Sequence, residues 1–197
     1  MLVALEGGEG SGKSTQAARL AARMGAVLTR EPGGTELGER VRSLLLDPDG
    51  VPIGARTEAL LMAAARAQHV EEVILPALQA GRTVVTDRYI GSSLAYQGHG
   101  HRLDLAAVAS LSAFAVAGAV ADLVVLLAVP PAMARARLTG RPDRLEALGT
   151  DFHRRVATGF VELAAAEPGR WVVVDGTGDA AEVEGRVWSA VAARLDR

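Results

Sequence analysis

The stretch GGEGSGKST at residues 7–15 constrains this chain more than any other. It fits the pattern G-x-x-x-x-G-K-[ST] as Gly7, Gly12, Lys13 and Ser14. The glycines let the backbone curl so that the N–H groups from Gly8, Glu9, Gly10 and Ser11 through Thr15 can point at phosphate oxygens. A helix starting near Lys13 adds its positive dipole end. Lys13, the only lysine in the chain, is expected to reach the β- and γ-phosphates of ATP as a point charge. The Ser14 hydroxyl is the expected Mg²⁺ ligand. The dinucleotide pattern G-x-G-x-x-G fails here, because Lys13 stands at the third glycine position counted from Gly8 and Gly10.

The neighbours supply the setting such a loop requires. MLVALE (1–6) reads as a short buried strand, and KSTQAARLAARM (13–24) reads as a helix, with Leu20 and Met24 on one side and Arg19 and Arg23 on another. A length of 197 residues suggests one domain spanning 1–197, large enough for a real core. The net charge of −2 gives no case for nucleic acid or an anionic membrane. The chain has no cysteine, which excludes disulfides and thiolate metal sites. The N-terminus leads directly into the first strand, so no signal peptide is expected; a cytoplasmic location is expected as well.

LAAVASLSAFAVAGAVADLVVLLAVPP (105–131) carries a single charge, Asp122. Its first part is mostly Ala, Ser and Gly, too weakly apolar for a membrane span. The expectation is a helix, then a central strand at 123–129. Small residues permit close helix packing, so this helix is also a candidate subunit interface, and a homodimer is expected. Further strands are expected at 25–30, 83–88 and 171–176, and helices at 35–46, 57–80, 104–119, 131–140, 150–166 and 179–195. Strands separated by helices imply an α/β fold with a five-stranded parallel sheet covered on both faces. Ligands in such sheets collect at the carboxyl ends of the strands. The segments 7–15, 30–35, 87–97, the loop after 129, and 175–178 should therefore converge.

Those strand ends carry charge. TREPGGT (29–35) places Arg30 and a Pro-Gly-Gly turn where an acceptor would lie opposite the phosphate loop. DRYIGSSLAYQG (87–98) opens with Asp87, where phosphate-loop proteins place a carboxylate near Mg²⁺, followed by Arg88 facing bound phosphate. A surface Asp–Arg pair is the alternative. Arg66 sits inside a largely apolar helical stretch, either on a solvated face or in a site. RARLTGRPDRLE (135–146) holds Arg135, Arg137, Arg141 and Arg144, either a solvated face or a lid, at about 135–150, that closes over ATP. A cation added to a transferring phosphoryl group is worth roughly 10³–10⁵ in rate, and Arg137 and Arg141 are the candidates for it. His99 and His101 in GHGH are read as a loop rather than a metal site, since no third ligand is apparent.

The segments EGGEGSGKSTQ, TREPGGTELGERVRSLLL, AAARAQHVEEVILPAL, VVTDRYIGSSLAYQG and RPDRLE, in this order and spacing, resemble the bacterial thymidylate kinases, a family of phosphate-loop nucleoside monophosphate kinases with a three-layer fold. The resemblance runs from Met1 to about Glu146, and loosely on through VVVDGTG (172–178). It implies transfer of the γ-phosphoryl group of Mg·ATP to dTMP, giving dTDP and ADP. It also implies that Glu9 looks toward the 3′-hydroxyl of dTMP, and that Arg30, Arg66 and Arg88 surround that nucleotide. Arg88 is then on its phosphate and Arg66 on the thymine edge. Tyr96 lies under the deoxyribose where a 2′-hydroxyl would collide, Gln97 lies near the base, Ser93 is a further substrate-binding residue, and the Thr177 loop covers the adenine. Three departures stand out. Met62 replaces a phenylalanine that stacks on thymine, and a thioether stacks less well. Gly10 stands where one branch of the family has an arginine, so the resemblance is to the branch with a lid arginine. In that lid, Arg137 and Arg144 match better than Arg141. The rival readings are a kinase for another nucleoside or nucleoside monophosphate, and a nucleotide-driven switch. A guanine switch is excluded, because Lys13 leaves no lysine for an Asn-Lys-x-Asp base reader.

Overall fold

The computed structural model describes residues 1–195. Its five strands are β1 (Leu2–Glu6), β2 (Val27–Arg30), β3 (Val84–Asp87), β4 (Leu123–Ala128) and β5 (Trp171–Asp175). They form one sheet in the order β2-β3-β1-β4-β5, and every pairing is parallel. The helices are α1 (Lys13–Met24), α2 (Glu36–Leu46), α3 (Ala55–His69), α4 (Leu75–Gln79), α5 (Ile90–Ser93), α6 (Leu105–Val116), α7 (Pro131–Ala136), α8 (Thr150–Ala166) and α9 (Ala180–Leu195).

The central strand β1 is buried along its whole length, as expected for an apolar run in a parallel sheet. Its side chains alternate between two cores. Leu2 and Ala4 face a layer that includes Tyr89, Tyr96, Phe152 and Phe160. Val3 and Leu5 face a layer built from α1 and α9, including Ala17, Leu20, Val183 and Val187. The stretch 105–131 divides as its sequence suggests. The helical part ends at Val116, and Asp122, immediately before β4, accepts the Leu2 N–H at 2.6 Å at the start of β1. No helix among the described residues is long and apolar enough to cross a membrane.

Three segments differ from the sequence reading. The long helix expected at 57–80 is α3 and α4 joined by a wide turn at Val70–Ile74. Pro76 supplies no N–H and crowds the preceding turn, so a widened turn takes its place. The helix expected at 131–140 stops at Ala136, and its end is closed by tight turns from Arg137 N–H to the Ala134 carbonyl and from Leu138 N–H to the Arg135 carbonyl. Residues 90–100 are helical, not loop. α5 continues into a wide-turn helix at Leu94–Gly100 that contains His99, and His101 follows directly.

The start of that missed helix has an identifiable cause. The carboxylate of Glu6, at the end of β1, accepts the N–H groups of Tyr89 and Ser92, each at 3.0 Å, and the Ser92 hydroxyl at 2.6 Å. Orphan N–H groups at a helix start are thereby satisfied by a strand far away in sequence. Replacing Glu6 by alanine should leave these buried donors unpaired, at a cost of roughly 1–3 kcal/mol. The check is the urea midpoint of Glu6→Ala against wild type. An unchanged midpoint would remove this cap from the account.

Candidate active site

β1 and β3 lie side by side with Leu5 opposite Asp87. The pairing sets the phosphate loop, which leaves β1, against Asp87 and Arg88, which end β3. Arg88 adopts φ 72°, in the left-handed region, a conformation costing on the order of 1–3 kcal/mol for a residue with a Cβ. Two bonds hold it there: its N–H donates to the Leu5 carbonyl, and the Thr86 hydroxyl donates to its carbonyl at 2.9 Å. The guanidinium thereby reaches four partners at once. Nη1 donates to the Gly7 carbonyl of the loop at 3.2 Å and to Ser92 Oγ at 3.0 Å. Nη2 donates to Glu9 at 2.6 Å and meets the Tyr96 hydroxyl at 3.3 Å. Tyr96 in turn donates to Glu9 at 2.9 Å. Burial alone would raise the Glu9 carboxyl, but Arg88 and Lys13 beside it bring it down to about 2.

Lys13 turns back onto its own loop, donating to the Gly8 carbonyl at 2.7 Å and to Ser11 Oγ at 3.3 Å. Burial, with Arg88 nearby, lowers its ammonium to about 8, although Glu9, Asp87 and Glu6 oppose the shift. Ser14 Oγ donates to Asp87 Oδ2 at 2.5 Å. The other oxygen, Asp87 Oδ1, is buried without a hydrogen-bond partner among the described residues. A hard cation suits that pair, since it seeks a carboxylate oxygen and a hydroxyl. Burial also raises Glu6 to about 7, against the bonds from Ser92 and Tyr89 and the charge of Arg88.

Beside this cluster opens a cleft of about 570 Å³, including its mouth. Glu9, Arg88, Tyr96, Ser93, Gln97, Met62 and Arg66 all line it. Arg66 is buried rather than on a solvated face. It donates to Glu31 at 2.7 Å and to the Tyr89 carbonyl at 3.0 Å, and Glu31 also meets His69 Nδ1 at 2.9 Å. The Tyr96 ring stands edge-on to Phe152 and Phe160, with centroids 6.1 and 6.2 Å away.

Other residues singled out from the sequence lie elsewhere. Arg30 does not line the cleft; it pairs with Glu39 at 3.0 Å. Arg141 is exposed and holds Asp49 through two bonds of 2.7 and 2.6 Å. Arg144 donates to Glu58 and to the Leu45 carbonyl, each at 2.6 Å. Arg137 donates to the carbonyls of Gly176 and Gly178, on either side of Thr177. α7 presses on the phosphate loop at Gly10, where φ is 70° and an added Cβ would sit 2.1 Å from the Ala134 carbonyl. With α7 in this position there is no room for a side chain at residue 10.

Several residues escaped the sequence reading. Arg42, from α2, lines the cleft and donates to the Pro32 carbonyl at 3.0 Å; burial and the nearby charge of Arg30 lower its guanidinium. Glu31 and Asp143 supply carboxylates to the same wall. Glu6 was detectable as a charge closing an otherwise apolar strand. Nothing local marks Arg42 among the other arginines of its helix.

The family model for thymidylate kinase matches residues 5–187. The chain is similar to the thymidylate kinase of Deinococcus radiodurans, 49% identical over 98% of this chain and 97% of that one. It is likewise similar to that of a Synechococcus strain, 49% identical over 99% and 96%. The fold matches the crystal structure of thymidylate kinase from Ehrlichia chaffeensis with a TM-score of 0.81 and 29% identity, covering 97% of this chain and 98% of that one.

The lowered Lys13 ammonium gives a testable sign. A polyphosphate beside Lys13 favours its charged form, so binding raises this group above about 8. Above about pH 7, where the terminal phosphate of ATP is already ionised, ATP affinity should weaken as the free protein loses the Lys13 proton, with proton uptake on binding near about pH 9. Calorimetric titration in two buffers of different ionisation enthalpy measures both. An affinity that does not change across this range would contradict the assignment of Lys13 to the donor phosphates.

Proposed function

The chain belongs to the thymidylate kinase family, and from that premise we propose how its residues divide the reaction. The enzyme transfers the γ-phosphoryl group of ATP to dTMP, giving ADP and dTDP. The observation that carries the assignment is the position of Arg88. One guanidinium bonds both the Gly7 carbonyl of the phosphate loop and the Ser92, Tyr96 and Glu9 side chains beside the cleft. A cation at that junction serves the acceptor phosphate and the group being transferred.

Phosphoryl transfer asks the protein for alignment and charge neutralisation more than for covalent chemistry. The acceptor is already an anion, so no strong base is required. Lys13 and the loop N–H groups hold the β- and γ-phosphates of ATP. Arg88 holds the phosphate of dTMP, and Glu9 faces its sugar. Arg66, fixed by Glu31, faces the thymine edge, with Met62 over the ring. Arg30 adds charge at the mouth when released from Glu39. Ser14 and Asp87 would hold Mg²⁺, which when bound would neutralise part of the phosphate charge. The partnerless Asp87 Oδ1 supports this role. Arg137 and Thr177 flank the adenine side.

We read 1–197 as one domain whose segment 135–150 acts as a lid, with Arg137 and Arg141 as the catalytic cations it delivers. Arg141 is free to do so only after leaving Asp49, an exposed pair of the kind worth about 0–1 kcal/mol. A homodimer in the cytoplasm completes the reading. The dimer is supported by apolar side chains left open on the packed pair α3 and α6, where Leu60 is 58% and Phe114 86% exposed.

A coupled ADP-release assay with ATP, Mg²⁺ and each nucleoside monophosphate in turn tests the acceptor. The expected order is dTMP first, dUMP used, and UMP rejected because Tyr96 occupies the space below the sugar. Tyr96→Ala should reduce the dUMP-to-UMP preference by about tenfold or more. A wild-type protein that uses UMP as well as dUMP would overturn the role given to Tyr96. Slow hydrolysis with no transfer to dTMP would overturn the acceptor itself.

A further inference from the structure

Glu58 lies in the first turn of α3 with its side chain wholly buried. Two donors and an imidazole, from two segments, converge on it. Gln97 Nε2 donates to Oε1 at 2.8 Å. Arg144 Nη2 donates to Oε2 at 2.6 Å. His101 Nε2 lies 3.0 Å from Oε1. Burial by itself would raise this carboxyl, but His101 beside it and the bonds from Gln97 and Arg144 outweigh it and hold Glu58 below the ordinary carboxylate range. Glu58 is therefore ionised at neutral pH, and an ionised carboxylate only accepts hydrogen bonds.

That chemistry removes a degree of freedom at Gln97. A glutamine amide is nearly symmetric in shape, and only its partners decide which end points where. Here the end facing Glu58 must be the NH₂. The carbonyl Oε1 is then the end left over. It has no hydrogen-bond partner among the described residues, and it is not a sealed, partnerless atom. Gln97 lines the cleft. The cleft wall thus presents an acceptor, not a donor, at this point.

We propose that Glu58 is a positioning residue for base selectivity: by fixing the Gln97 amide it makes the cleft select pyrimidines whose ring nitrogen carries a hydrogen. Thymine and uracil offer an N3–H donor between two carbonyls. Cytosine offers a bare N3 acceptor beside an amino group, which would face the Gln97 carbonyl with like polarity. The inference rests on the reading above that the base of the acceptor enters the cleft beside Gln97. It gives the enzyme a means of rejecting an amino pyrimidine that does not depend on the stacking residue at position 62. Glu58 touches no substrate. It acts through the orientation it imposes.

The test is kcat/KM for dTMP and for dCMP, measured on wild type, Glu58→Gln, Gln97→Leu and the double variant. In Glu58→Gln the new amide can donate to Gln97 Oε1, so the Gln97 NH₂ turns to the cleft. The dTMP-to-dCMP ratio should then fall by about tenfold or more, since a favourable bond becomes an unfavourable meeting of two donors. The KM for ATP should not move. Gln97→Leu should lower the ratio as well, and adding Glu58→Gln to it should change the ratio no further. If Glu58→Gln keeps the wild-type ratio while Gln97→Leu loses it, Glu58 does not set the amide and the proposal falls, although the base placement stands. If Gln97→Leu keeps the ratio, the base is not read there, and the placement falls with the proposal. Should Glu58→Gln not fold, the wild-type protein decides by NMR. The Gln97 side-chain NH₂ protons should stay bonded to Glu58 and keep their shifts when dTMP binds. A large shift of those protons on binding would show the NH₂ turned to the base and overturn the proposal.

Discussion

The structure depends on one contact between neighbouring strands: β1 beside β3, with the charges that end each strand forced into the same small volume. Lys13 and Arg88 meet Glu6, Glu9 and Asp87 there. Isolated, any of these charges would be very costly to bury. Together they are tolerable, because each has an opposite charge or a hydrogen bond within reach, and breaking such a set by removing one member costs more than the set contributes. The left-handed backbone at Arg88 is part of the same arrangement. It aims the guanidinium back over the phosphate loop instead of outward along β3.

Much of this was legible in the sequence because the signals are local. The phosphate loop is a contiguous run, and the five strands are apolar runs with helical stretches between them. Asp87 and Arg88 stood out because they close such a run. The helix at 90–100 was not legible, since its N-terminal cap is Glu6, 83 residues from the Tyr89 N–H it accepts. Its glycines also argued against a helix. At Gly100 the reason is tertiary: an added Cβ would lie 2.6 Å from the Phe152 ring of α8. Close packing with α8 overrode helix propensity.

The walls of the cleft were hidden for a similar reason. Glu31 and Arg66 are 35 residues apart, and Glu58 and Arg144 are 86 apart. No spacing in the sequence announces such pairs. The arginine-rich stretch after α7 was visible as a cluster, but its members have separate fates: Arg137 is on the 176–178 loop, Arg141 on Asp49, and Arg144 on Glu58. Side-chain type located the charge, and only the fold distributed it.

Arg88 joins the phosphate loop to the acceptor, and the binding of each substrate to Arg88→Ala, measured by titration calorimetry beside wild type, tests that junction. dTMP binding should weaken by roughly 10- to 150-fold, the equivalent of one charge-assisted bond, while ATP binding changes little because Lys13 and the loop N–H groups remain. An Arg88→Ala protein that holds dTMP normally and loses ATP would contradict it.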